Sequence, residues 1–552
     1  MDNYRLLLAL LLSLGIIFLY NQLLEWRHPE LAHPHPKTTV MPTPGATTTP
    51  GAVAAGAAPA LAGPSATTTA ISAAVPARLI VVDTDFFRAT VTTRGGRIQS
   101  FELKKYRATS ASDSPPYQMI PEGERLPMGL LVERSGATVD DGGVVYATDA
   151  PDHLAATAAG DAKLTLVGTT PDGTRLRKTF DFHNGSYVFD LDAAATAETG
   201  AKIDGVGVTM SRTLAAGAGY RDLPELQADV ANKTVTELQK ALEKGVAPVN
   251  GPITYAGFGD RYFLSVVMPV KPIEGSLAMD YAGDEADARI VFDGASNLVT
   301  RAYFGPKALD MLEAANPALR KAIDFGWSGI IALPFLQLLQ FFHLIAPNYG
   351  IAIILLTVVV RLATLPMSIK GQRSMMKMQR LQPQVERIRE KFKDDQERLN
   401  REMVDLYKRN HVNPLGGCLP MGVQLPVFIA LYEALLNAIQ LRHAPFFGWI
   451  KDLSAPDCLP LAWMPRLPYL DCHGIPVLVG LLVVSGFLQQ WMAPRQPDPN
   501  QQKMMMYMPI VFSLIFVNLP AGLTLYYLSS NVLGIAQQFV LNREFKQLPP
   551  TT

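Results

Sequence analysis

Ile351-Ala-Ile-Ile-Leu-Leu-Thr-Val-Val-Val-Arg361-Leu-Ala-Thr-Leu-Pro366 is the stretch on which the fold of this chain turns. With its flanks it is apolar over roughly the 20 residues that a membrane-spanning helix needs. Its one charge is Arg361. Counted at about 1.5 Å per residue from Asn348-Tyr349-Gly350, Arg361 lies roughly 18 Å into a hydrocarbon core about 30 Å thick. Holding a guanidinium there costs roughly 2.5 to 3.5 kcal/mol or more, so such a group faces a wet cavity or a polar partner and is a functional candidate by default. The plainer alternative is that its long stem snorkels to the far headgroups.

Working outward, the other apolar runs cluster in the last two-fifths of the chain, apart from one at residues 6–24. That first run leads into Asn21-Gln22-Leu23-Leu24-Glu25-Trp26 rather than a small-residue cleavage site, which predicts an uncleaved anchor over 1–27 with its N-terminus in the cytoplasm. Residues 28–76 are rich in Pro, Ala, Thr and Gly and read as a disordered linker; His28, His33 and His35 within it read as linker rather than a metal tract. From 77 to 305 short alternating runs such as Phe87-Arg-Ala-Thr-Val-Thr92 are punctuated by turn residues such as Pro171-Asp-Gly173, predicting an antiparallel β domain large enough for its own core. Its acids and histidines are scattered, with no nucleophile elbow, phosphate-cradling glycine loop or metal-ligand spacing. Lysine plus arginine number 49 and aspartate plus glutamate 49, so net charge gives no pull toward nucleic acid.

Residues 306–346 read as a helical connector and an amphipathic helix lying on the outer face, with Pro334 and Gln337 interrupting its apolar run. Five spans follow at about 348–369, 416–441, 475–492, 504–517 and 523–541, making six in all and leaving both termini inside. The fourth of these five is short for a span and needs local bilayer thinning or help from its neighbours. Between the first two lies a strongly basic segment, 370–412, whose charge places it in the cytoplasm. Apolar residues at Met378, Leu381, Val385, Ile388 and Phe392, and again at Leu399, Met403 and Leu406, predict two helices folding back at Lys393-Asp394-Asp395. Lys377, Arg380, Arg387, Arg389 and Lys391 form its candidate docking face, for ribosomal RNA, anionic lipid or an acidic protein; a merely solvated hairpin is the alternative. Polar residues that could answer Arg361 are Thr357 one turn before it, Gln424, Gln490, Tyr527, Asn531 and Gln538. None of them is acidic, and Glu433, the nearest acid in a span, is a weak partner.

Several stretches carry a resemblance in order along the whole chain: Leu381-Gln-Pro383, Asn413-Pro-Leu-Gly-Gly-Cys-Leu-Pro420, Ala444-Pro-Phe446, Trp449-Ile-Lys-Asp-Leu-Ser454, Gln501-Gln-Lys-Met504, Gly522-Leu-Thr-Leu-Tyr-Tyr-Leu-Ser-Ser-Asn531 and Thr92-Thr-Arg-Gly-Gly-Arg97. Together they resemble the YidC membrane-protein insertase family of the Gram-negative type. The resemblance implies a polytopic α-helical inner-membrane protein with a five-helix core, a cytoplasmic antiparallel helical hairpin and an inserted periplasmic β-supersandwich related to sugar-mutarotase folds. It implies a groove open to cytoplasm and lipid, floored by Arg361, through which nascent membrane proteins pass without ATP, a cofactor or a covalent step. The partners it implies are the Sec translocon with its accessory complex, ribosome-bound nascent chains or the signal-recognition pathway at the hairpin, and membrane lipids; a monomer would suffice.

The tail, 546–552, is short and weakly basic, which argues against tail-mediated ribosome docking. Cys458 and Cys472 share one outer loop where oxidation is permitted, and could close as a disulfide; Cys418 reads as a small packing residue. Two other classes stay open on sequence: a transporter, which would need internal repeats or an acidic relay, and a membrane-anchored periplasmic carbohydrate-binding or carbohydrate-modifying protein, which would need a convergent acid and base in the β domain.

Overall fold

The structure is a computed structural model, describing residues 76–552 except 121–124, 158–159, 198–201, 214–224, 232–247, 283–284, 324, 394, 411, 413–418, 462, 464–473, 494–498 and 548–552. The expected N-terminal anchor and linker, the Cys418 segment, Cys472 and the end of the tail lie outside the described residues. The chain divides into two compact units, with the boundary between Ala322 and Ile323.

The first unit is built from strands whose side chains alternate between core and solvent. Over Thr174–Phe182 every second residue is buried, which is the period a half-buried strand requires. One sheet has five strands, ordered Pro116–Gln118, Arg97–Arg107, Phe87–Thr92, Leu79–Asp83 and His153–Ala155. Its pairs are antiparallel except the last, where Val81 registers with His153 in a parallel pair. The second sheet has 12 strands, running from Ala137–Asp140 at one edge to Ala162–Thr169 at the other. The two sheets pack through aromatic rings: Phe101 of the first lies 5.2 Å, between ring centroids, from Phe304 of the second, and Phe87 lies 6.1 Å from Phe182. Rings of this kind each bury 150–250 Å² or so and dominate the apolar core.

The second unit is helical. We label its helices α1 to α8: Gly329–Ile345, Tyr349–Arg380, Gln382–Lys391, Gln396–Arg409, Leu419–Leu436, Val477–Met492, Pro499–Ile515 and Ala521–Gln547. Two stretches, Gly326–Ile345 and Tyr349–Arg380, are long and apolar enough to cross a membrane; Gly422–Leu436, Val477–Met492 and Met504–Asn518 are shorter apolar helices. Large apolar side chains stand exposed around the bundle, among them Ile330, Leu344, Leu362, Val484, Leu514 and Phe539. Apolar surface on that scale needs lipid or a partner to cover it. Proline sits inside α1, α2, α5 and α7, at Pro334, Pro366, Pro426 and Pro509.

The start of α2 is fixed locally. Asn348 is the N-cap, its Oδ1 accepting from the amides of Gly350 and Ile351, which satisfies two donors that a helix end leaves orphaned. A Cβ at Gly350 would fall 1.9 Å from the Phe446 ring, so only glycine admits the Ala444-Pro-Phe446 loop against the helix. The loop beyond it is held by Asp452, which accepts from the amides of His443 and Ser454, and by Asp457, which accepts from the Trp449 indole and the Leu478 amide. These bonds account for the sequence Trp449-Ile-Lys-Asp-Leu-Ser454.

Helix α2 does not stop near residue 369, where the hydrophobic run ends; it continues unbroken to Arg380. The basic segment then turns at Leu381 into α3 and, after Phe392, into α4, whose N-cap Asp395 accepts from the Arg398 amide. Leu381, Val385, Tyr407 and Val412 form a small buried cluster between them, with Met378, Met403 and Leu406 against it. Tyr407 and Val412 extend the stripes legible in sequence.

Candidate functional site

Arg361 emerges from α2 toward α8. Its Nε donates to the Ser530 hydroxyl at 2.9 Å and its Nη2 to the Ser530 backbone carbonyl at 2.6 Å. Among the described residues no carboxylate pairs with it and no hydrogen bond involves Nη1. Two nitrogens are therefore pinned to one helix while the third is left for something else. The guanidinium lines a cavity of about 40 Å³ together with Thr364, Met367, Ser368, Val423 and Gln424. That volume exceeds the roughly 10–15 Å³ a single water needs, and the lining supplies polar partners for it. The arrangement is a cationic pocket roomy enough for water, and among the described residues no carboxylate or imidazole stands beside the arginine. What it can do chemically is attract and hydrate an anionic or polar group.

The polar residues expected around Arg361 separate when placed in three dimensions. Gln424 lines the same cavity, with its amide 3.5 Å from the Tyr526 hydroxyl. Tyr527 packs edge-on against Phe428 and Phe516, forming an aromatic wall between α5 and α8. Thr357 is fully buried and gives its hydroxyl to the Ile353 carbonyl of its own helix. Asn531 donates to the Ser485 hydroxyl on α6, and Gln538 donates to Asn542 one turn along α8. Gln490 is half-buried on α6, while its neighbour Gln489 is the one beside α8, at Gly534. Glu433 is bonded by Asn437 within one turn.

The residues that do meet α2 were hidden in the sequence by their ordinariness. Ser530 carries the arginine, and Gln537 donates to Ser368 and Gln372 on α2 at 3.0 and 3.2 Å. Ser530, Gly534 and Gln537 recur at helical spacing on one face of α8, a signal that a search for the α2-facing side could have used. Of the candidate docking residues, Lys377 and Arg380 lie on the last turn of α2 and Arg387, Arg389 and Lys391 on α3; Lys377, Arg387 and Lys391 are exposed, and Arg380 and Arg389 are half-buried. Cys458 is disulfide-bonded.

The β unit holds a second buried cation with the opposite treatment. Lys178 is fully buried on the inward phase of its strand, and its ammonium lies 2.5 Å from Asp141 Oδ2. It also donates to the carbonyls of Gly95 and Met128, at 2.7 and 2.9 Å. Asp141 accepts in turn from the Tyr146 hydroxyl and the Leu130 amide. Arg97 closes the cluster against Asp140 at 2.5 Å. The Arg94-Gly-Gly-Arg97 turn is thus a structural device: Gly96 has φ +52°, and a Cβ there would meet Leu166 and Lys178. Burial pushes the Lys178 ammonium below its usual range, with Asp141 opposing that shift.

Two other charged groups stand out in the same unit. Lys307 is buried, and among the described residues no hydrogen bond or ion pair involves its ammonium; burial lowers it to about 8. His183 has Asp161 2.9 Å from Nδ1 and Asp190 3.1 Å from Nε2. Burial alone would lower the imidazole, but those two hydrogen bonds raise it overall. Asp161, Asp181 and His183 also bring three possible metal-ligand atoms within 4.8 Å of one another, though both ring nitrogens of His183 already face carboxylates.

Comparison with known proteins finds two family models, which meet inside α1 rather than at the boundary between the units. Residues 79–338 match the family model described as YidC periplasmic domain, and residues 340–548 the one described as 60Kd inner membrane protein. A protein of Geotalea daltonii named membrane protein insertase YidC is 35% identical over 482 residues, covering 85% of this chain and 88% of its own. The protein of the same name from Maridesulfovibrio salexigens is 35% identical over 568 residues, covering 99% of this chain and 100% of its own. A solved structure described as an active YidC insertase with the first transmembrane domain resolved covers 84% of this chain and 93% of its own, at 18% identity and a TM-score of 0.36, too low to carry an argument about this chain. On the sequence relationship, which spans both units, the chain belongs to the YidC membrane-protein insertase family.

Proposed function

We propose that this inner-membrane insertase moves the short polar tail of a nascent membrane protein through a hydrated groove in which Arg361 is the attracting charge. The observation that carries the reading is the state of the guanidinium: Nε and Nη2 are held by Ser530, while Nη1 is unpartnered among the described residues and the group borders a small polar cavity. A charge that no acid neutralises keeps its field for an incoming group. An acidic side chain on the translocating tail would make a charge-assisted contact with it, and the water it retains would shorten the dry part of the path. The substrate's apolar segment then leaves along the exposed apolar faces of α5 and α7, such as Leu425, Ile510 and Leu514, into lipid, with hydrophobic burial as the driving force and no covalent step.

In this reading the bundle and the N-terminal segment make six spans with both termini in the cytoplasm, and the β unit lies in the periplasm. The cytoplasmic docking element is then the end of α2 with the α3–α4 hairpin, presenting Lys377 from α2 and Arg387 and Lys391 from α3 to the ribosome, the signal-recognition pathway or anionic headgroups. Action alone or beside the Sec translocon and its accessory complex is compatible with it, and no cofactor is required. The loop bearing Cys458 faces the oxidising side, with Cys472 as the proposed partner.

The test is depletion of the protein with rescue by wild type or Arg361→Ala, scoring insertion of a small two-span protein with an acidic tail and the same protein with a neutral tail. Arg361→Ala is expected to slow the acidic-tailed substrate selectively. Equal insertion of both substrates at the wild-type rate would overturn the charge-attraction step. Deleting residues 80–300 is expected to leave substantial insertion, whereas total loss would favour an activity seated in the β domain.

A further inference from the structure

Gly534 lies on α8 one turn beyond Ser530, on the face that meets both α2 and α6. A Cβ built there would fall 3.2 Å from Arg361 Nη2 and 2.7 Å from Gln489 Nε2. The first distance is tighter than an ordinary carbon–nitrogen contact, and the second cannot exist without movement. Yet Gly534 sits mid-helix with no left-handed backbone to require glycine, in a position where glycine costs helix stability relative to alanine. What the missing side chain provides is space at one level of the bundle. Through that space the guanidinium approaches close enough to α8 for Nη2 to reach the Ser530 carbonyl at 2.6 Å.

We infer that Gly534 is a positioning residue for Arg361: by leaving room on α8 it lets Ser530 hold two guanidinium nitrogens, which fixes the direction in which the third is presented to the groove. The inference rests on the proposed groove role of Arg361 for its functional consequence, but the positioning itself is a statement about side-chain geometry. A side chain at 534 pushes the guanidinium off Ser530, leaving the charge in place but unaimed. The effect should be graded by size, since a methyl can be partly accommodated by the free end of Gln489, while a β-branched side chain cannot.

The test uses the full chain and two readouts. The first is the rate at which a dicarbonyl reagent modifies Arg361 in native membranes, followed by mass spectrometry of the Arg361 peptide. Gly534→Val is expected to raise that rate severalfold, because two nitrogens lose their acceptors, with Gly534→Ala between it and wild type. The second is insertion of the acidic-tailed and neutral-tailed substrates. Gly534→Val is expected to slow the acidic-tailed one by about tenfold, the size of one lost charge-assisted hydrogen bond, and to leave the neutral-tailed one near wild type. In an Arg361→Ala background the same substitution should add nothing, because the two residues act as one unit.

Unchanged reactivity of Arg361 in Gly534→Val would overturn the inference, as would an equal loss of insertion with or without the arginine, since that is the signature of helix packing alone. Should Gly534→Val not accumulate, Gln489→Ala/Gly534→Ala replaces it. That variant removes the contact with Gln489 and keeps the one with Arg361, so raised reactivity supports the inference and wild-type reactivity overturns it. If reactivity rises but Arg361→Ala inserts acidic tails at the wild-type rate, the groove reading falls while the positioning stands.

Discussion

Lys178 in the β unit and Arg361 in the helical unit are both cations removed from bulk water, and the chain treats them in opposite ways. Lys178 has an aspartate at 2.5 Å, carbonyl acceptors on two sides and a tyrosine and an amide supporting its partner. Arg361 has one serine and, among the described residues, neither an acid nor a partner for its third nitrogen, and it borders a cavity. A buried charge that is fully paired contributes to holding one arrangement of the chain, and breaking it leaves its partner stranded. A buried charge that is only anchored still has its electrostatic work to do. The difference sets a structurally paired cation apart from one that suits the groove role proposed for it, without reference to either unit's name.

The largest effect that would break this comparison is on the paired side. Asp141→Ala strands the Lys178 ammonium, the Tyr146 hydroxyl and the Leu130 amide together, so the β unit should lose about 3–5 kcal/mol. Thermal unfolding of the full chain in detergent, followed by proteolysis at Arg and Lys sites of residues 77–305, measures it; a change under 1 kcal/mol or so would mean the pair is not structural. Lys307 offers the intermediate case, a buried amine with neither pairing nor an open cavity assigned to it. Its folded pKa of about 8 lies below the ordinary lysine value of 10.5, so the unfolded chain binds the extra proton between those values and stability rises with pH across that window. Lys307→Met should therefore stabilise the protein at pH 7, by about 2 kcal/mol, with the gain shrinking as pH rises from about 8 to 10.5. A pH-independent difference would assign the effect to packing instead.

Arg361→Ala should do the reverse of Asp141→Ala: little or no loss of thermal stability, because no partner charge is stranded, and about a tenfold slower insertion of the acidic-tailed substrate. If stability falls by as much as for Asp141→Ala, the distinction between the two cations collapses. The smallest effect concerns His183. Its folded pKa is raised, so its contribution is fully present below the unfolded value near 6.5 and is lost as pH rises through the folded value. His183→Asn should cost under about 1 kcal/mol at pH 6 and less at pH 9, since the ion pairs are partly exposed and screened. Denaturant midpoints at the two pH values decide it.

Much of the architecture was legible because it is written in local pattern. Alternation marked the strands, the apolar run with Asn348 ahead of it marked α2, and apolar residues three and four apart, such as Leu381, Val385 and Ile388, marked the hairpin helices. Arg361 itself stood out because charge in hydrocarbon is rare. Its surroundings did not, and the reasons are specific. Hydroxyls such as that of Thr357 can bond backward within their own helix, so proximity along one face says little about use. A register error of one residue rotates a side chain by about 100° around a helix, which separates Gln490 from Gln489. Gly534 acts by lacking an atom, and no composition count registers that. Lys178 could have been found, since it occupies an inward position between Leu176 and Phe180, but its partner comes from a distant turn that no spacing rule connects to it.

The prolines inside α1, α2, α5 and α7 bear on how the bundle can yield. A proline lacks the amide that would bond four residues back, so the carbonyls of Ile330, Leu362, Gly422 and Met505 lose their usual ladder partners. In α2 and α5 these soft points fall at Leu362 and Gly422, immediately beside Arg361 and Val423 of the cavity lining. A helix bends where its ladder is interrupted and stays stiff elsewhere. In α2 and α5 compliance therefore falls at the level of the charge, so on the proposed groove role a passenger of greater girth can spread those two walls there while the Asn348 cap holds the start of α2.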